Sequence, residues 1–273
     1  MTRIAVLQMT SGIDPGRNLD IILEAMGEAR EAGAEMLFTP EMSLLLDRDR
    51  ARAAKHLGAE PYRLTVDRLR VAAGEQGLWL SVGLPVARDD GRLANRTLLF
   101  SPSGSPPVGY DKMHMFDVAL ATGENWRESA AYAPGDEVVT VDETPVGRLG
   151  LAICYDLRFP ALFEELGRRM CDVISIPAAF TVPTGRAHWH LLQRARAVEA
   201  SAYVVAAAQV GEHEDGRTTY GHSLVVDPWG EVLLDMGGEK LGLGYAEIEP
   251  ARIADVRSQL PSLANRRPIP RSS

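Results

Sequence analysis

The chain has 273 residues, of which 45% are hydrophobic and 24% charged, a composition typical of a globular protein with a sizeable core. The formal charge is −8 and no dense stripe of lysine and arginine is present, so nucleic acid is not expected as a partner. No apolar run approaches the roughly 20 residues that span a bilayer, and the first nine residues are typical of a strand rather than a secretory signal. Only two cysteines occur, which excludes a disulfide framework and favours a cytoplasmic location.

The first half of the chain alternates between strand-like and helical patterns. We predict strands at residues 3–9, 36–38, 78–84 and 93–101. Helical spacing of apolar residues occurs twice between these strands, once over Leu19, Ile22, Met26 and Ala29, and once over Tyr62, Val66, Leu69 and Ala73. Residues 109–136 have little periodicity, and an irregular segment of this length inside a domain is usually functional or mobile.

The strand–helix–strand pattern returns in the second half, with no Gly/Ser-rich linker in between. We predict helices at residues 160–170 and 186–200, and strands at 148–153, 173–176, 203–208, 222–226, 231–234 and 243–248. Length alone would permit one α/β domain or two, but the missing linker favours a single domain of two sheets covered by helices. Ligands of such folds usually bind at the carboxyl ends of strands. Glu41 and Cys154 both follow predicted strands directly.

Cys154 is the first candidate for chemistry, in the segment GLAICYDLRFP (residues 150–160). Most cysteines at the end of an apolar strand are small buried hydrophobes, and we expect Cys171 to be one of these. Polar residues follow Cys154 directly, at a turn into the next helix. A thiol at such an elbow is expected to be exposed, and nearby backbone N–H groups favour its thiolate form. Cys154 is therefore a candidate nucleophile.

Three charged residues stand in unusual surroundings. Glu41 follows a buried strand and precedes the mostly apolar residues 42–46, so we expect apolar surroundings to raise its pKa and make it a useful general base and acid. Lys112 is flanked by Tyr110, Met113 and further large apolar residues, although a lone lysine is normally a solvated surface charge. Glu128 by itself is typical of an ordinary loop glutamate.

Other functional motifs are weak or missing. His188 and His190 form an HxH pair, but residues i and i+2 of a helix point apart and make a poor metal pair. The chain contains no HExxH, paired CxxC, P-loop or G-x-S-x-G motif, and the glycines of residues 237–244 lack the dinucleotide fingerprint. The sequence therefore does not predict a metal site, a nucleotide cofactor or a serine nucleophile.

Three short motifs together resemble the nitrilase (carbon–nitrogen hydrolase) superfamily. They are TPE at residues 39–41, GYDKMH at 109–114 and CYDLRFP at 154–160, which occur in the order and with the spacing of that superfamily. Each motif alone is weak, whereas three in order are specific. The resemblance continues through GRAHW (185–189), RARAVE (194–199) and YGHSLVVDPWG (220–230), and it covers essentially the whole chain.

The resemblance implies an α/β fold, a four-layer α-β-β-α sandwich, and a homodimer formed through helices, for which we take those near Pro160 and Arg186. It also implies that Cys154 is the nucleophile, Glu41 the general base and acid, and Glu128 a supporting glutamate. Lys112 would bind the oxyanion together with the backbone N–H of Tyr155. No metal or organic cofactor is needed for this chemistry. We expect the hydrolase domain to cover residues 1–260, with an extended or partner-contacting tail at 261–273.

The implied activity is hydrolysis of a non-peptide amide bond through a cysteine thioester. Within the superfamily, the segment FTVPTGRAHW (residues 180–189) is similar to the branch of deaminated glutathione amidase and ω-amidase, and closer to the former. Their substrates carry a 2-oxo acid carboxylate, for which Arg158 is the natural partner, unless it forms a structural salt bridge with Asp156. Thr181 is a second candidate contact. The alternatives are ω-amidase, N-carbamoyl amine hydrolase or nitrilase activity, or a catalytically silent scaffold with this fold.

Overall fold

This computed structural model describes residues 1–121, 123 and 125–270. These residues contain six α-helices and sixteen β-strands. The helices are α1 (Pro15–Glu31), α2 (Arg50–Gly58), α3 (Glu60–Gln76), α4 (Pro160–Arg168), α5 (Val182–Ala200) and α6 (Pro250–Gln259). The strands of the first half are β1 (Thr2–Gln8), β2 (Met36–Phe38), β3 (Trp79–Ala87), β4 (Leu93–Phe100), β5 (Val108–Asp111), β6 (Asp117–Ala119) and β7 (Asn125–Arg127). The strands of the second half are β8 (Thr140–Thr144), β9 (Gly147–Leu151), β10 (Val173–Ser175), β11 (Tyr203–Ala206), β12 (Val210–Glu212), β13 (Thr218–Tyr220), β14 (Leu224–Val226), β15 (Val232–Asp235) and β16 (Gly242–Ile248).

Two six-stranded mixed sheets are built on the same plan. The first has the order β16-β1-β2-β3-β4-β5 and the second has the order β15-β14-β11-β10-β9-β8. In each sheet a central trio of parallel strands, β1-β2-β3 or β9-β10-β11, is flanked by antiparallel strands. The parallel trios align the carboxyl ends of their strands, which is where such folds place ligand sites.

The two faces of β1 show how the layers are assembled. Ile4 and Val6 pack into an apolar core that also contains the second sheet, whereas Ala5 and Leu7 pack into a separate core with α1 and α3. The side chains of a strand alternate between faces, so one strand serves both cores. Helices α4 and α5 cover the far side of the second sheet. The predicted four-layer α-β-β-α sandwich is confirmed.

Several elements differ from the sequence predictions. Helices α2 and α6 were not predicted, because each buries only two side chains and so has little apolar periodicity. Helix α5 begins at Val182 rather than near Arg186, since Pro183 occupies its first turn, where a proline is tolerated. The segment 109–136 is more ordered than predicted and contains the end of β5 and the β6–β7 hairpin.

The C-terminal segment after α6 contains a turn at residues 262–265. Within it, Arg266 donates a hydrogen bond from Nη1 to the carbonyl oxygen of Glu164 at 2.7 Å, which attaches the segment to α4. Part of the predicted tail, residues 271–273, lies outside the described residues. The tail's contact with a partner therefore stays a prediction. No helix in the described ranges is both long and apolar enough to span a bilayer.

Candidate active site

A cavity of about 260 Å³ lies where the loops after β2, β5 and β9 meet. Glu41, Lys112, Glu128 and Cys154 all line it, although they are far apart in the sequence. The other aromatic and basic residues that line it are Phe116, Trp126, Tyr132, Tyr155, Phe180, Arg48, Arg50, Arg127, Arg158 and Arg217. The structure thus brings together every acidic, basic and nucleophilic residue that the resemblance singled out.

Glu41 is held at the wall of this cavity by contacts on both carboxylate oxygens. Oε1 accepts hydrogen bonds from Asn95 Nδ2 at 2.7 Å and Lys112 Nζ at 2.9 Å. Oε2 accepts one from the backbone N–H of Ala179 at 2.8 Å. The loop that carries Glu41 crosses directly over Gly83, where a Cβ atom would collide with the carbonyl oxygen of Pro40. Glycine at this position of β3 therefore allows the loop to approach the sheet.

Lys112 stands one residue after β5, and its side chain is only 2% exposed. Nζ donates to Glu41 Oε1 and also to both oxygens of Glu128, at 3.1 and 2.9 Å. A buried ammonium requires such paired charges, because an isolated one would be strongly destabilising. Lys112 is therefore fixed between two carboxylates rather than solvated.

Glu128 begins a one-turn 3₁₀ helix at residues 128–130. Besides its contact with Lys112, Glu128 accepts two further hydrogen bonds. The backbone N–H of Phe116 donates to Oε2 at 2.6 Å, and Asn95 Nδ2 donates to Oε1 at 2.9 Å. Asn95, on β4, thus donates to both carboxylates of the cluster. Glu128 and Asn95 therefore fix the positions of Lys112 and Glu41.

Cys154 occupies the predicted elbow between β9 and α4, at the start of a 3₁₀ helix over residues 154–158. Its φ of 48° lies in the left-handed region, which is uncommon for a residue with a side chain and typical of functional sites. Its N–H donates to the carbonyl oxygen of Pro177 at 2.9 Å. The side chain is only 7% exposed and reaches solvent through the cavity, so the expectation of an exposed thiol was wrong.

Asp156 fixes the elbow from behind. Its carboxylate is fully buried and accepts hydrogen bonds from Tyr110 Oη at 2.7 Å, from the N–H of Ile153 at 2.9 Å and from the N–H of His114 at 3.0 Å. The His114 ring also contacts it, 2.7 Å from Nδ1. Asp156 is therefore a positioning residue for Cys154, which the sequence analysis did not recognise as one.

The charges of the cluster correct two expectations. Burial raises the pKa of Glu41, but the Lys112 ammonium and the hydrogen bonds from Lys112 and Asn95 outweigh it and hold this pKa below the ordinary 4.5. Burial lowers the pKa of Lys112, but Glu128 and Glu41 hold it well above its usual value. Burial and the Glu41 charge raise the pKa of the Cys154 thiol despite Lys112. The resting cluster is thus an ionised carboxylate, an ammonium and a neutral thiol, not a standing thiolate.

Cys171 has no comparable setting. Its side chain is fully buried, and burial raises its pKa to about 12. Its Sγ lies 2.9 Å from the position that a Cβ atom on Gly150 would take, so it fills space against β9. Among the residues that the structure describes, only Cys154 of the two thiols lines the cavity.

The predicted substrate contacts lie at the same cavity. The Arg158 guanidinium stands 5.8 Å from the ring centre of Tyr155 and 5.5 Å from that of Phe180, and Nη1 is 3.2 Å from His188 Nδ1. Within the described ranges it makes no ion pair with a carboxylate, so the alternative of a salt bridge to Asp156 is not observed. Thr181 is the N-terminal flanking residue of α5, and its Oγ1 lies 2.9 Å from Thr184 Oγ1.

Among the described residues, one group of three side chains could ligate a metal ion, and it lies outside this cavity. The ammonium of Lys112 takes the position between the carboxylates that a cation would otherwise occupy. The cluster can therefore carry out proton transfer and nucleophilic attack with its own side chains.

Comparisons with known proteins identify the family of this chain. The carbon-nitrogen hydrolase family profile matches residues 3–258. A protein of Synechocystis sp. named deaminated glutathione amidase is 40% identical over 268 residues, which cover 96% of this chain and 97% of that protein. The crystal structure of the C. elegans NitFhit protein has a TM-score of 0.89 and 36% identity, and the match covers 97% of this chain and 65% of that one. The structure of Saccharomyces cerevisiae Nit3, a member of branch 10 of the nitrilase superfamily, has a TM-score of 0.83 and 26% identity over 95% of this chain and 94% of its own. The chain therefore belongs to the carbon-nitrogen hydrolase family.

Proposed function

We propose that this protein is an amidase that hydrolyses its substrate through a thioester on Cys154. The observation that carries the proposal is that the thiol of Cys154 lines the same cavity as the carboxylate of Glu41 and the buried ammonium of Lys112, which are 2.9 Å apart. A base and a nucleophile that face the same cavity are the minimum requirement for this chemistry. Family membership and relatives named deaminated glutathione amidase support the same reaction class.

The first half of the reaction forms the thioester. Sγ of Cys154 attacks the amide carbon while the thiol proton passes to Glu41, so no free thiolate is needed beforehand. The negative charge that develops on the amide oxygen is stabilised by the Lys112 ammonium and, as we propose, by the backbone N–H of Tyr155. One such donor is typically worth about 10²–10³ in rate. Glu41 then gives its proton to the leaving amine as the carbon–nitrogen bond breaks.

The second half restores the enzyme. Glu41 takes a proton from a water molecule as that water attacks the thioester carbon, and the oxyanion forms again beside Lys112. Collapse of this intermediate breaks the carbon–sulfur bond, and the proton held by Glu41 returns to Cys154. Glu128 takes no proton in this scheme. Its role is to hold Lys112 in place through the bonds at 3.1 and 2.9 Å.

We propose that the substrate is deaminated glutathione or a similar small 2-oxo acid amide. Arg158 supports this assignment, because its guanidinium lines the cavity without an ion-pair partner among the described residues and can take the substrate carboxylate. Thr181 is proposed as a second contact from the N-terminus of α5. The names of the relatives point to the same substrate. The alternatives are an ω-amidase, an N-carbamoyl amine hydrolase, a nitrilase and a silent scaffold.

A product assay separates these alternatives. Deaminated glutathione, a free ω-amide of a 2-oxo acid, an N-carbamoyl amine, a nitrile and an uncharged amide are each incubated with the enzyme, and amine or ammonia release is measured. We expect the highest kcat/KM for deaminated glutathione and none for any compound with Cys154→Ala. Release from none of the compounds by the native enzyme would favour the scaffold alternative.

Arg158→Lys tests the carboxylate contact. An ammonium cannot reproduce the bidentate fork, so kcat/KM for 2-oxo acid amides should fall by about 10- to 100-fold, which corresponds to the 1.5–3 kcal/mol of a hydrogen bond to a charged group. An uncharged amide should lose much less. Arg63→Lys, at an exposed position of α3, is the matched control. Equal losses for both kinds of amide would make Arg158 structural.

Assembly as a homodimer and a location in the reducing cytoplasm are further parts of the proposal. Helix α5 carries two exposed apolar side chains, Leu191 at 67% and Val198 at 41%, which support an interface on this helix. Light scattering should give the mass of two chains, and Leu191→Glu should reduce it to that of one. An unchanged mass for the variant would place any interface elsewhere. The cytoplasm is favoured because the nucleophilic thiol must stay reduced.

A further inference from the structure

Three side chains from distant parts of the sequence meet outside the active-site cavity. His190 lies on α5, His222 just before β14, and Asp235 at the end of β15. His190 Nε2 is 3.0 Å from Asp235 Oδ2, and His222 Nδ1 is 2.9 and 3.2 Å from the two carboxylate oxygens. One potential ligand atom from each residue lies within 4.8 Å of the other two.

The second histidine of the HxH motif therefore has a partner that the sequence could not reveal. His188 and His190 do point apart, as their spacing predicts: His188 Nδ1 contacts Arg158, whereas His190 contacts Asp235. The fold supplies His222 in place of His188. Its ring centre lies 5.0 Å from that of His190, with the ring planes at 75°.

Further contacts hold the members of this group in place. The backbone of His222 has a φ of 56°, and its carbonyl oxygen accepts a hydrogen bond from Trp189 Nε1 at 2.7 Å. The His222 ring stacks on Tyr220, with ring centres 4.4 Å apart. Asp235 Oδ1 accepts the N–H of Gly237 at 2.9 Å. Such outer contacts are what orients the ligands of metal sites, and a strained backbone at His222 is typical of a functional position.

We propose that His190, His222 and Asp235 form a binding site for a divalent transition-metal ion, with Zn²⁺ as the best fit. Two imidazoles and one carboxylate are a ligand set that zinc commonly uses. Zinc–ligand bonds of roughly 2.0–2.2 Å place tetrahedral ligand atoms about 3.3 Å apart, close to the 2.9–3.2 Å between the carboxylate and the imidazoles. The rings are between a quarter and two fifths exposed, so small side-chain rotations can bring the two nitrogens together.

The fourth coordination position faces solvent. Arg186, Lys240 and Glu239 line the adjoining depression, and the excess of positive charge among them favours an anionic fourth ligand such as hydroxide or chloride. The ligands come from a covering helix and from both sides of the β14–β15 hairpin. Since β15 is an edge strand paired only with β14, the ion would link this edge to α5. We therefore assign the site a stabilising role, separate from the chemistry at Cys154.

Zinc titration tests the proposal in a Cys154→Ala background, because the Cys154 thiol, in a cavity that carboxylates also line, could itself bind zinc. Calorimetry should detect one zinc ion per chain and no binding of Mg²⁺, which prefers oxygen ligands. His190→Ala, His222→Asn and Asp235→Asn should each weaken zinc binding by about 100-fold or more, since loss of even an outer partner of a ligand typically costs 10- to 100-fold. Asparagine is chosen at position 222 because it tolerates the left-handed backbone.

His56→Ala is the matched control, because it removes a histidine from α2 without touching the site. It should leave zinc affinity unchanged. Thermal unfolding gives an independent measurement: zinc at about 100 times its dissociation constant should raise Tm by about 5 °C in the background protein and in His56→Ala, but not in Asp235→Asn. Absence of zinc binding, or binding that survives all three ligand substitutions, would overturn the proposal and leave the group a purely hydrogen-bonded one.

Discussion

Glu41→Gln removes the proposed proton carrier while keeping the volume of the side chain. The variant can still accept a hydrogen bond from Lys112, but it cannot take the thiol proton or return a proton to the leaving amine. A single general acid–base role is worth about 10²–10⁴ in rate, and Glu41 has both roles in each half-reaction. We therefore expect kcat to fall by at least about 10⁴, or about 5.4 kcal/mol in activation free energy, for charged and uncharged amides alike.

The same substitution should change the thiol in the opposite sense. The Glu41 charge is one of the causes that raise the pKa of Cys154, whereas Lys112 lowers it. Without that charge, the pKa of Cys154 should fall, and the thiol should react faster with iodoacetamide at neutral pH. A variant that is less active as an enzyme but more reactive as a thiol is the specific signature of a base that acts on a neutral nucleophile.

The assay combines steady-state kinetics with alkylation rates measured as a function of pH. Glu75→Gln, at an exposed position of α3, is the control and should change neither. Circular dichroism checks that the variant is folded, which we expect because Glu128 still pairs with Lys112. Activity well above about 0.01% of the native value, or a Cys154 alkylation profile shifted to higher pH, would refute the reasoning.

Three further predictions follow from the contacts around the cluster. Gly83→Ala should lower kcat and, in a denaturation assay, destabilise the protein by about 1–3 kcal/mol, because the new Cβ collides with the loop that holds Glu41. Gly74→Ala is the control: its new Cβ has room, so it should be neutral or stabilising in that assay. The ionised form of Glu41 is the active one, and its pKa lies below 4.5. As the pH is lowered from neutral, kcat/KM should therefore stay constant and decline only below pH 4.5, whereas a decline centred near about pH 6 would contradict the direction of the pKa shift. Asp156→Asn should cost about 3 kcal/mol in the free energy of unfolding, because it turns a buried acceptor of several hydrogen bonds partly into a donor, whereas the exposed Asp142→Asn should cost less than about 1 kcal/mol.

Local sequence patterns were sufficient for most of the sandwich. The strands of both parallel trios are short apolar runs, and the larger helices α1 and α3 repeat apolar residues at helical spacing, so these elements could be predicted without tertiary information. The repeated strand–helix–strand order with no linker predicted one domain. Elements that bury little, such as α2 and α6, could not be predicted in this way, since packing rather than periodicity stabilises them.

The chemistry-bearing residue types and their order along the chain were also determined by the sequence. Glu41 and Cys154 each follow a buried strand, which indicated that both could lie at a ligand crevice. Their strands, β2 and β9, belong to different sheets, so the packing of the two sheets is what brings these residues together. The role of Asn95 could not be expected from the sequence. It is one polar residue within a strand, and only the fold places its amide against both Glu41 and Glu128.

Only the tertiary structure decided the protonation states. From the sequence, Glu41 was expected to have a raised pKa and Cys154 to favour the thiolate, since each prediction considered one residue and its neighbours along the chain. In the fold, Lys112 is buried between two carboxylates and holds the pKa of Glu41 down, while burial and the Glu41 charge raise the pKa of Cys154 and keep its thiol neutral. Electrostatic interactions depend on distance in space and on burial, which a linear sequence does not contain. The same reason applies to His190, whose spacing from His188 argues against a metal pair, while the fold provides His222 and Asp235.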